Sequence, residues 1–179
     1  MTLNKPFNSI ILNEIISFFE NNIIICGSLS DYIHINYEES LLDYDFIIKK
    51  SCFLHYFSQL TLPDNIVYKN FLLRRKKSSF FTNVSYIGTY KDSFIVDFFV
   101  KESITDDIIH IDSEKIIQNS SYNKIIIDSA YSRIDQLKRI LTIQRKKGMP
   151  YWVHGWLKNK HKKASLKLDL YNKLYPEYL

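Results

Sequence analysis

The chain has 179 residues, with 24 Lys+Arg, 19 Asp+Glu and two cysteines. That length suits one domain, or one domain with an appended segment, and is enough to bury a core without staples. Cys26 and Cys52 cannot build a disulfide framework, no apolar run approaches the roughly 20 residues of a membrane span, and 46% hydrophobic residues argue against disorder, so a reducing, cytoplasmic setting is expected.

Phe7, Ile10, Ile11, Ile15, Phe18 and Phe19 recur near a helical period and predict an amphipathic helix over 7–20. Asn13 and Glu14 interrupt the same stretch where a signal peptide needs unbroken apolar residues. The short apolar run 23–26, closed by Gly27-Ser28, suits a buried strand. A short helix opens near Ser30. Residues 41–48 read as a second buried strand, and 51–60 as a helix stopped before Pro63. Three strands are expected at 66–73, 80–90 and 94–100. Arg74-Arg75-Lys76-Lys77 joins the first two, as a solvated tip or as a phosphate contact for a nucleic acid, and Lys91-Asp92-Ser93 joins the last two at hairpin length. Ala130, Ile134, Leu137 and Leu141 step by three or four, so a helix begins after Ser129 and stops before Gly148 and Pro150. Residues 151–175 read as a last helix, with Tyr151, Trp152 and Trp156 taken as core aromatics rather than base-stacking ones. The outline is an α/β (α+β) fold with a mixed sheet and basic C-terminal helices.

The charge is unevenly spread. Residues 1–128 hold 12 Lys+Arg against 16 Asp+Glu, net −4, and residues 129–179 hold 12 against 3, net +9. We therefore expect a core at 1–128 and a basic helical segment at 129–179 packed on it. The basic segment is either a solvated helical surface or a dock for an anionic partner.

Asp43 and Asp45 sit inside an otherwise apolar run. A strand puts both on one face, roughly 7 Å apart. Asp97 is a lone charge within Phe94-Ile95-Val96-Asp97-Phe98-Phe99-Val100. Burying such charges unpaired is costly. If the two strands are neighbours, about 5 Å apart, three carboxylates converge, and an oxygen-only set suits Mg²⁺ or Mn²⁺. Gly27-Ser28 after a buried strand lets backbone amides approach a phosphate. His34, His55, His110, His154 and His161 have no metal-ligand spacing.

This combination resembles the polymerase-beta-like nucleotidyltransferase superfamily: an apolar strand ending in Gly27-Ser28, a 14-residue spacer, Asp43-Tyr44-Asp45, then Asp97 on a later strand. The resemblance covers about residues 8–100. It implies that Asp43 and Asp45 bind two metal ions, that Asp97 binds the catalytic one and helps deprotonate the acceptor, and that Gly27 and Ser28 hold a nucleoside triphosphate. An acceptor hydroxyl, on RNA, possibly tRNA, on protein or on a small molecule, would attack the α-phosphate and release pyrophosphate. Arg133 and Lys138 are further candidates for the triphosphate, and residues 129–179 for RNA. The C-terminal helices, through Arg133, Asp135 and Leu137, more faintly resemble small nucleotidyltransferases of toxin and phage-defence systems. Two alternatives stand beside this reading. One is a catalytically silent module with the same fold, antitoxin-like or adaptor-like. The other is a phosphatase of the haloacid-dehalogenase type, which leaves Gly27-Ser28 unexplained.

Overall fold

The computed structural model describes residues 7–37, 43–76, 84–144 and 147–178. Leu41, Leu42, Lys77 and residues 80–83, all expected in or between strands, lie outside them.

Asn8 opens α1 (Ser9–Phe18): its Oδ1 accepts from the amides of Ile10 and Ile11, both at 3.1 Å. The helix buries Ile11, Leu12, Ile15 and Ile16, and the chain turns out of it through Glu20 and Asn21, both at positive φ. β1 (Ile24–Cys26) is wholly buried. It passes directly into α2 (Gly27–Ile35), which ends at Asn36 in the left-handed region. β2 (Asp43–Lys49) and α3 (Lys50–Tyr56) follow.

The expected strand at 66–73 is two: β3 (Asn65–Tyr68) and β4 (Phe71–Arg75) fold back on each other at Lys69, whose φ is +50°. β5 (Val84–Tyr90) and β6 (Phe94–Lys101) make the expected hairpin, with Lys91 and Asp92 at positive φ. Two strands that periodicity did not reveal come next, β7 (Ile108–Asp112) and β8 (Lys124–Asp128). Helices α4 (Ala130–Thr142) and α5 (Tyr151–Leu174) close the chain. No helix among the described residues is long and apolar enough to cross a membrane.

The eight strands form one mixed sheet in the order β3-β4-β5-β6-β2-β1-β8-β7. β2 runs parallel to β6, β1 runs parallel to β8, and the other neighbours are antiparallel. Strand alternation sorts the side chains. Ile25, Tyr44, Phe46, Val96 and Phe98 enter the main core with residues of α1 and α3, including Phe19, Phe53 and Phe57. On the opposite face stand Cys26, Asp43, Asp45, Ile47, Asp97 and Phe99. There α4 and α5 pack on each other and on α2 through Ile35, Ala130, Ile134, Leu137, Ala164 and Tyr171.

Candidate active site

β2 and β6 are aligned so that Asp45 is the direct cross-strand partner of Asp97, and Asp43 that of Ile95. On the other side Asp45 faces Cys26 of β1. The expected adjacency of the two acidic strands is therefore present. Gly27 follows Cys26 at φ +67°, and a Cβ there would fall on the Asp45 carboxylate. Only glycine satisfies both the left-handed backbone and the close approach.

These residues floor a cleft of about 1000 Å³ roofed by α4 and α5. Gly27, Ser28, Asp43 and Asp45 line it, with Arg133 and Gln136 from α4 and Trp156, Lys160 and Lys163 from α5. Asp97 lies buried beside it, its Oδ2 accepting from the Lys76 ammonium just beyond β4. Among the described residues its Oδ1 has no hydrogen-bond partner.

The electrostatics record an imbalance. Burial pushes Asp45 up to about 7, helped by the charges of Asp43 and Asp97 and opposed by Arg133 and Lys76. Burial raises Asp97 as well, against the Lys76 hydrogen bond. Burial lowers Lys160, while the negative charges of Asp45 and Asp97 work the other way.

A second cluster of charge lies at the α4–α5 side of the cleft. Arg133 donates to Asp31 from Nε at 2.9 Å and from Nη2 at 2.8 Å, and to Gln136 from Nη1 at 2.6 Å. Lys167 sits 2.9 Å from Asp31 Oδ2, and the Tyr171 hydroxyl donates to Oδ1 at 2.9 Å. Burial alone would raise Asp31, but Arg133 and Lys167 hold it below the ordinary carboxylate range. Next to it Asp128 accepts from the Ser30 hydroxyl, and burial pushes it up to about 7.

Of the residues singled out from sequence, Gly27, Ser28, Asp43, Asp45 and Arg133 come together at the cleft, with Asp97 beside it. Arg133 is buried rather than exposed, and its guanidinium is engaged by Asp31 and Gln136 instead of facing outward. Lys138 is exposed and not among the cleft's lining residues. Lys76, read as part of a solvated tip, is instead the counter-ion of Asp97. Tyr151, Trp152 and Trp156, read as core, are exposed. Asp128 closes the apolar run Ile125-Ile126-Ile127, the same signal that marked Asp97.

A divalent cation is tested by the donors present. Among the described residues, no three His, Cys, Asp or Glu side chains are gathered so as to hold a metal ion. The chemistry nevertheless suits a hard cation: the donors are carboxylate oxygens, Asp97 Oδ1 is buried without a partner among the described residues, and Asp45 is under-compensated. No protein-family model matches this chain, and no curated protein matches it.

Proposed function

We propose that the chain is a nucleotidyltransferase that moves a nucleoside monophosphate from a nucleoside triphosphate to an acceptor hydroxyl, with Mg²⁺ or Mn²⁺. One observation carries this reading. The left-handed Gly27 turn at the end of β1 packs on Asp45, which is in register with Asp97. A phosphate-approach turn and the Asp45 carboxylate thus meet at one cleft floor, with the in-register Asp97 beside it.

Asp43, Asp45 and Asp97 are the residues that would hold the cation. When bound, it supplies neutralisation of phosphoryl charge as the transition state develops. Gly27 keeps the turn clear for backbone amides to approach the triphosphate, and the Ser28 hydroxyl adds a donor there. Asp97 accepts the acceptor's proton as the new oxygen–phosphorus bond forms and pyrophosphate leaves with the electrons of the broken bond. Labelled nucleoside triphosphates incubated with Mg²⁺ and cell extract test this. Label is expected in one class of macromolecule and absent with Asp45→Ala. A folded wild-type protein that labels nothing would overturn the reading.

The Lys76–Asp97 ion pair favours a second reading, a catalytically silent binding module, because an internal ammonium already serves one carboxylate. Thermal melting separates the two. A rise with Mg²⁺ and nucleotide supports the enzyme, and an unchanged curve supports the silent module.

A further inference from the structure

Helix α5 carries Trp152, Trp156, Lys160, Lys163 and Lys167 at steps of four, four, three and four. At 3.6 residues per turn these fall on one stripe. Its inner end is anchored, with Lys167 held against the buried Asp31 at 2.9 Å. Lys160 and Lys163 then line the cleft. The Lys160 ammonium lies 4.7 Å from the centre of the Trp156 ring and, among the described residues, forms no ion pair. Beyond it the indoles emerge, Trp156 at 43% exposure and Trp152 at 73%.

From Trp152 to Lys167 the stripe runs about 22 Å at 1.5 Å per residue. That is several nucleotide steps, even at the duplex spacing of about 3.4 Å per nucleotide. Two aromatic faces followed by ammonium groups suit bases and phosphates together. An acidic peptide would use only the ammonium groups.

We infer that this stripe of α5 is a track for a single-stranded polynucleotide whose end reaches Asp45 and Asp97, with a base stacked on Trp156 and phosphates on Lys160 and Lys163. The inference rests on the nucleotidyltransferase reading only for what happens at that end, because binding along the track needs neither metal nor turnover.

Indole fluorescence tests it directly, since the chain has two tryptophans. Wild type, Trp152→Phe and Trp156→Phe are titrated with a ten-nucleotide single-stranded RNA, without metal or nucleoside triphosphate, after circular dichroism has established that each variant is folded. Quenching is expected to persist in Trp152→Phe, which reports Trp156. Trp156→Ala should weaken binding about tenfold, measured by anisotropy of a labelled strand. Lys160→Ala should reduce the salt dependence by about 0.7 in the log–log slope. Two results would overturn the track: no quenching in Trp152→Phe, or displacement of the RNA by poly-glutamate at equal charge. A protein that binds RNA this way yet transfers no nucleotide keeps the track and loses the enzyme. One that labels another acceptor without binding RNA does the reverse.

Discussion

Asp31 is fully buried and Asp45 half-buried, both close to the Gly27 turn, and their surroundings move them in opposite directions. Asp31 meets a guanidinium, an ammonium and a phenol, each at 2.8–2.9 Å, and stays ionised below its ordinary range. Burial pushes Asp45 up to about 7, and the charges of Asp43 and Asp97 add to the rise. The chain does have the cations: Arg133 and Lys167, both at the cleft wall, are held by Asp31. Compensation is concentrated where three helices join, and at the floor it is limited to Lys76 on Asp97. The first cluster links α2, α4 and α5, and the second leaves the floor carboxylates less compensated.

Breaking the compensated cluster should have the largest effect. Arg133→Ala leaves Asp31 buried with one cation fewer and removes the guanidinium 3.9 Å from Asp128. Removing one partner of a buried pair typically costs about 3–5 kcal/mol. Urea unfolding should register that loss, whereas Lys138→Ala on the same helix should stay within about 0.5 kcal/mol. Similar midpoints for the two variants would show that the cluster does not hold the helices. Asp31 contributes stability above its unfolded value near 3.9 that is lost as pH falls through its lower native value, so the cluster persists at neutral pH.

The floor carboxylate has the opposite sign. Between about 4 and 7 the native state keeps a proton on Asp45 that the unfolded chain has released. Raising the pH removes stability across that window, and the full cost is present above it. Asp45→Asn should therefore melt higher than wild type at pH 8, by the equivalent of about 1–3 kcal/mol. The gain should shrink at pH 5 and vanish below pH 4. The difference between the two curves is the quantity to read, because Asp128 titrates in the same window. A gain equal at pH 5 and pH 8 would remove the electrostatic account of the floor.

What the sequence made legible follows from which physics is local. A charge inside an apolar run is visible without coordinates, and Asp45 and Asp97 do stand side by side on the adjacent strands β2 and β6, with Asp43 opposite Ile95. Gly27 was readable because one residue sets both backbone hand and clearance. Partner choice is not local. Arg133 finds Asp31 from 102 positions away, and nothing in the helical period of α4 distinguishes it from Lys138. β7 escaped because its residues are half-buried or exposed, which weakens any alternation. Lys76 was hidden in a run of four cations, of which the fold turns this one inward onto Asp97. The exposed indoles of α5 reversed the usual rule for aromatics, since α5 buries Val153, Leu157, Ala164 and Tyr171 along the neighbouring stripe.

Lys76 sharpens the comparison most finely, because it is the one short ion pair at the floor among the described residues. Its ammonium is partly exposed, so the pair is worth less than the Asp31 cluster, on the order of 1 kcal/mol. It nevertheless occupies the carboxylate that a divalent cation would need. Lys76→Met should lower the melting point slightly without metal at pH 8, by leaving Asp97 without its ammonium. It should also enlarge the rise produced by Mn²⁺, because no internal cation then competes and a ligand bound to the native state stabilises it in proportion to affinity. If Mn²⁺ shifts wild type and Lys76→Met equally, the ammonium and the cation are not rivals for Asp97. If it shifts neither, the negative charge of the floor is balanced in some other way than by a metal.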